Sequence, residues 1–76
     1  MKELVEYMAK ALVAKTGEVE VRAGGADHSP VYELRVASSD IGRVIGRQGR
    51  TARSMRAILG AAAAKAHKRA TLDIVE

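Results

Sequence analysis

The chain contains no cysteine, no tryptophan and no phenylalanine, and only two tyrosines and one proline in 76 residues. Without cysteine there is no disulfide, no thiolate metal site and no sulfur nucleophile, which fits a reducing compartment. No apolar run approaches the roughly 20 residues of a membrane-spanning helix. The opening Met1-Lys2-Glu3-Leu4-Val5-Glu6 carries acids within an amphipathic pattern, unlike a secretory leader. A soluble cytoplasmic protein with no membrane association is expected. The most telling absence is local: between Ile41 and Leu72 there is no acidic residue. Residues 1–40 hold five basic and seven acidic side chains, whereas residues 41–76 hold eight and two. The overall charge of +4 therefore hides a basic half, and a field of one sign attracts polyanions. A merely soluble basic surface would carry the same net charge; the clustering is what favours a polyanion.

Apolar residues make up 47% of the chain, ordinary for a globular protein, and the length suits one domain over residues 1–76. Leu4, Val5, Met8, Leu12 and Val13 recur at helical spacing, predicting a helix from about residue 2 to Lys15 that Gly17 stops. Glu18-Val19-Glu20-Val21-Arg22 alternates as a strand. Gly24 to Pro30 is loop-like in composition. Val31 to Ala37 is a second strand, with Tyr32, Leu34 and Val36 on one face. Ser38-Ser39-Asp40 signals a helix start, Asp40 serving as an N-terminal acid, and a short helix covers about Asp40 to Ile45. From Arg50 a longer helix follows, with Ala52, Met55, Leu59, Ala62 and Ala66 on one stripe. Lys65, His67, Lys68 and Arg69 close it, where cations complement the helix dipole. Ala70 to Val75 is a last strand. The order α-β-β-α-α-β predicts an α+β fold, a three-stranded sheet with three helices packed on one face.

Gly46-Arg47-Gln48-Gly49 joins the two helices. The paired glycines permit a tight turn and close approach of a ligand to the backbone, and the helix that begins at once favours an anion such as phosphate at its N-terminus. Arg43, Arg47, Arg50, Arg53 and Arg56 surround the loop, and guanidinium groups suit phosphate because they donate two parallel hydrogen bonds. Ile41, Val44 and Ile45 beside it offer an apolar floor for bases. Neither the Walker nor the dinucleotide-binding glycine pattern fits this spacing. An arbitrary G-x-x-G is more often a plain helix–helix turn; the preceding Val-Ile pair and the ring of arginines shift the balance here.

Val44-Ile45-Gly46-Arg47-Gln48-Gly49, followed by Ala52, Met55 and Arg56, resembles the signature of KH domains, and the element order resembles their type II arrangement. Lys2 to Tyr7, Tyr32 to Ala37 and Ile41 to Arg50 resemble the small single-KH bacterial RNA-binding proteins of the KhpA (YlqC) family. The resemblance implies binding of single-stranded RNA, with the G-x-x-G loop clamping the backbone of about four nucleotides. It implies that Ile41, Arg43, Val44, Ile45, Gly46, Arg47, Gln48, Gly49, Arg50 and Arg53 contact RNA, with the second strand completing the groove. It further implies an RNA-chaperone or post-transcriptional role, a KhpB-type KH partner (also called Jag or EloR), a link in some bacteria to cell elongation and the envelope, and no cofactor. The chain departs from the family's pattern in the Gly-rich stretch with His28 and in Thr51, where a larger apolar residue is common. With two tyrosines as the only aromatics, base stacking on an aromatic sheet is disfavoured.

Tyr7 falls between the apolar positions of the first helix and is expected to be partly buried. His28 and His67 lack ligand-spaced companions, so no metal site is expected. No triad or carboxylate pair can be assembled, which argues against an enzyme. Gly60 and Ala61 to Ala64 are read either as ordinary helix or as a close-approach surface for a second subunit, making a homodimer the expected self-association. A protein-binding module using the same surface is the alternative function, and a phosphate-binding enzyme fragment the weaker one.

Overall fold

The computed structural model describes Met1–Val75. Six regular elements follow one another: α1 (Lys2–Leu12), β1 (Glu20–Ala26), β2 (Ser29–Arg35), α2 (Ile41–Ile45), α3 (Arg50–Lys65) and β3 (Thr71–Val75). Strands β1 and β2 pair antiparallel, β2 and β3 pair parallel, and the sheet order is β1-β2-β3. A parallel pair needs a long crossover, and α2 with α3 supplies it. This is the α+β, type II KH arrangement that the sequence pattern implied. Among the described residues no helix is long and apolar enough to cross a membrane.

The core lies between the helices and one face of the sheet. Val5 and Ala9 of α1, Val21 of β1, Tyr32 and Leu34 of β2, Val44 of α2, Met55 and Leu59 of α3 and Leu72 of β3 are all buried. Helix α1 packs on β1 and β2, α3 packs on β3, and α2 leans chiefly on α3. On the sheet's other face Glu33 and Arg35 are exposed, as is Asp73. Full burial of a side chain such as Leu34 or Leu59 contributes about 1.5–3 kcal/mol, so the alternation along β2 and the stripe on α3 are what fix the sheet's inner face.

Several boundaries differ from the sequence expectation, among them the end of β2 at Arg35 and not Ala37. Helix α1 ends at Leu12 rather than Lys15, with Val13 already extended (φ −93°, ψ 158°). The amides of Ala14 and Lys15 instead donate to the Asp40 carboxylate at 3.1 and 3.0 Å. Glu18 sits in a 3-10 turn, Thr16–Glu18, and the strand begins at Glu20. The expected loop Gly24 to Pro30 is mostly strand: the ladder runs from Glu20 opposite Arg35 to Ala26 opposite Ser29, leaving Asp27-His28 as a two-residue turn. Gly25 adopts φ +80°, and a Cβ there would meet the Ser29 carbonyl oxygen at 2.6 Å, so the glycine shapes the hairpin end. The turn is tied down where the Arg69 amide donates to the His28 carbonyl at 3.0 Å.

The buried stripe of α3 is Ala52, Met55, Leu59 and Ala63. Ala62 is half-buried and Ala66 is exposed, beyond the helix end. Ala62 and Ala63 flank the same stripe on either side, and of the two Ala63 is the one the fold buries. The helix closes with His67 at φ +58°, its amide on the Ala64 carbonyl and the Lys68 amide on the Ala63 carbonyl at 2.9 Å. That pair of bonds is a Schellman end, so His67 has a structural place. Tyr7, expected to be partly buried, is 75% exposed.

Candidate nucleic-acid interface

Helix α2 has only five residues, and its carboxyl end turns at Gly46 with φ 75°, ψ 172°. This region of backbone space is essentially open to glycine alone. A Cβ at position 46 would overlap Thr51 Oγ1 and lie 2.7 Å from Thr51 Cβ and 2.9 Å from its nitrogen. Gly46 is therefore demanded by the turn itself, with Thr51 of α3 packed against its Cα. The Gly46 amide donates to the Gly42 carbonyl at 2.9 Å, and the Gly49 amide to the Gly46 carbonyl at 3.1 Å. Gln48 and Gly49 are both left-handed, at φ 57° and φ 74°. For glutamine that conformation is uncommon, and such strain gathers at ligand clamps. A Cβ on Gly49 would have no neighbour within 4 Å. The two glycines thus differ: one closes the turn inward, the other leaves bare backbone facing outward.

Helix α3 starts directly after this turn, and no side chain caps its first amides. Sixteen residues long, it brings a positive dipole end to the loop. Arg47, Gln48, Arg50 and Arg53 are exposed beside it. Arg50 Nη2 donates to Gln48 Oε1 at 3.3 Å, tying two exposed side chains of the loop together. Arg56 leaves the cluster, since its Nε donates to the Leu72 carbonyl of β3 at 3.2 Å.

The apolar floor is narrower than the sequence implied. Ile41 and Ile45 are half-buried and present part of their surface. Val44 is 0% exposed, a member of the core; it anchors α2 and offers no surface to a base. The packing partners of α2 are chiefly α3 and, less extensively, α1, so the second strand is not the element it leans on.

The sequence pattern makes Asp40 a helix-start acid, yet its side chain caps no amide of α2. It is 1% exposed and accepts from the Ala14 and Lys15 amides, while Arg43 Nε lies 3.3 Å from its Oδ1. The Ala14 amide, then the Lys15 amide, hold its carboxyl below the usual carboxylate value; burial opposes them, and the Arg43 and Lys15 charges add to the lowering. The signal for this role was absent from local sequence, because the partners lie 25 and 26 residues away. A second feature also escaped the sequence reading: an apolar groove of about 270 Å³ between α1 and α3, lined by Tyr7, Met8, Leu12, Met55 and Ile58 among others. Ile58 is 51% exposed. Among the described residues no three His, Asp or Glu side chains gather as a metal set.

Comparison with known proteins identifies the family. The family model described as KhpA/KhpB, KH domain, matches residues 2–74. The RNA-binding protein KhpA of Halalkalibacterium halodurans is 46% identical over 76 residues, covering all of both chains. That of Borreliella burgdorferi is 46% identical over 74 residues, 97% of this chain and 90% of the relative. That of Clostridium perfringens is 44% identical over 75 residues, 99% of this chain and all of the relative. The chain belongs to the KhpA/KhpB family of KH-domain proteins.

Proposed function

We propose that the protein binds single-stranded RNA, gripping the sugar–phosphate backbone of about four nucleotides at Gly46 to Gly49, and that it acts in the cytoplasm as a binding protein and not as a catalyst. The observation that carries this reading is the left-handed Gln48-Gly49 turn, open on its outer side and followed at once by an uncapped helix start. Arg43, Arg47, Arg50 and Arg53 supply the cations, and no carboxylate interrupts the sequence from Ile41 to Leu72. Ile41 and Ile45 receive the bases. The relatives' name, RNA-binding protein KhpA, points the same way. An RNA-chaperone or post-transcriptional role, with effects on cell shape and the envelope, is the cellular reading that accompanies it.

A partner of the same family, either a second copy or a KhpB-type protein, completes this reading. The small-residue stretch Gly60 and Ala61 to Ala64 offers only part of its surface, because Ala63 is wholly buried and Gly60 and Ala62 are half-buried. The groove beside Tyr7 and Ile58 is the better one, since it is apolar throughout and exposed.

The test of the RNA site is the double variant Arg47→Asp, Gln48→Asp, titrated with short single-stranded RNA and melted in parallel. Both side chains are exposed, so stability should change by no more than about 0.5 kcal/mol, and aspartate tolerates the left-handed backbone at position 48. New carboxylates at the place where phosphates must pass should abolish binding. A variant that melts like the parent and binds RNA equally well would contradict the assignment.

A further inference from the structure

One carboxylate stands at the edge of the proposed RNA site, and its three partners come from two separate parts of the fold. Asp40 Oδ1 accepts the Ala14 amide at 3.1 Å and Oδ2 accepts the Lys15 amide at 3.0 Å, both just past the end of α1. The same Oδ1 lies 3.3 Å from Nε of Arg43, one turn into α2. Arg43 is 60% exposed on its side chain while Asp40 is nearly sealed, at 2%. The guanidinium is thus held from its buried side, and it lies three residues before Gly46.

This arrangement looks costly for a protein that must attract phosphate, because an unopposed carboxylate there would repel it. The two amides and the arginine neutralise that charge locally. They also use it. An arginine whose guanidinium is paired with a fixed, buried carboxylate loses less rotamer freedom when it meets an anion than one swinging in solvent. Resting on the RNA-binding reading above, we propose that Asp40 is a positioning residue for RNA recognition: it fixes the posture of the Arg43 guanidinium, and it seats α2 on the chain leaving α1, so that Arg43 meets the phosphate backbone already oriented.

Simple charge counting makes the opposite forecast. Removing a carboxylate raises the positive field and should tighten binding to RNA. Positioning requires that binding weaken instead, through Arg43 and not through loss of fold. The experiment compares Asp40→Asn, Arg43→Lys, Arg43→Gln and the pair Asp40→Asn with Arg43→Gln, by titration with a short single-stranded RNA at a temperature where melting curves show each variant folded. Arg43→Lys is exposed, keeps the charge and removes only the guanidinium, so it answers the question even if Asp40→Asn does not fold. It should bind roughly threefold to fivefold more weakly, the size of one oriented charge contact at a surface. Asp40→Asn should weaken binding by a similar factor, and that factor should vanish when Arg43 is already glutamine. Arg43→Lys binding as tightly as the parent, or Asp40→Asn binding more tightly, would overturn the proposal. The Arg47→Asp, Gln48→Asp variant serves as the control: if it too binds normally, the RNA site lies elsewhere, whereas normal loss in that control with no loss in Arg43→Lys refutes positioning alone.

Discussion

Gly46 and Gly49 occupy equivalent places in the G-x-x-G pattern, and the sequence assigned them one shared reason, freedom of the backbone. The structure separates them. At Gly46 both the backbone region and the contact with Thr51 exclude a side chain, whereas at Gly49 only the left-handed φ does. Gly46→Ala should cost about 1–3 kcal/mol from backbone strain alone, a fall in melting temperature of roughly 4–8 °C for each kcal/mol in a domain of this size, with the Thr51 overlap adding to it. Gly49→Ala should melt higher than Gly46→Ala and yet lose RNA affinity, because at the proposed site its methyl group would stand on the open side of the turn. Equal melting of the two variants would show that Thr51 does not press on Gly46. Thr51, noted in the sequence only as a departure from the family pattern, gains a physical role by this contact. Asp40 shows the limit of local reading in the other direction. Its place before a helix signalled a cap, but the amides it holds belong to a segment distant in sequence, and no helical period or spacing encodes such a contact.

At the scale of elements, periodicity was legible wherever a face is buried. The order of six elements and the inner face of β2 follow from alternation, and α3 was recognised from Ala52, Met55 and Leu59. What escaped was structure without burial. Residues 24–26 of β1 lie exposed at the hairpin end, so they need no apolar side chains and read as loop. Tyr7, which falls between the apolar positions of α1 and reads as partly buried, lies outside the core, on the rim of the groove shared with α3. That groove gives the partner reading a definite test. Ile58 is half exposed, so Ile58→Glu should leave the melting temperature nearly unchanged. Light scattering at high micromolar concentration should show the parent heavier than its 8.1 kDa chain and the variant at that mass. A monomeric parent under those conditions, or a variant that associates equally, would contradict a homodimer seated on α1 and α3.

For the whole molecule, charge is divided by sequence half: acids cluster before Ile41 and cations after it. The basic half contains both helices that carry the loop. Four phosphates engaged on a single strand should give log K against log salt a slope of about −3. If the proposed site grips single strands, duplex RNA should bind more weakly than single strand at every salt concentration. An affinity indifferent to salt would remove the electrostatic part of the account.

The most direct measurement is a map of backbone amide shifts on adding a single-stranded tetranucleotide to the folded protein. The account predicts that the largest changes fall between Arg43 and Arg53, centred on Gln48 and Gly49, with the outer sheet face at Glu33, Arg35 and Asp73 unmoved. Changes concentrated on that sheet face or in the α1–α3 groove, with the Gly46 to Gly49 turn silent, would contradict it.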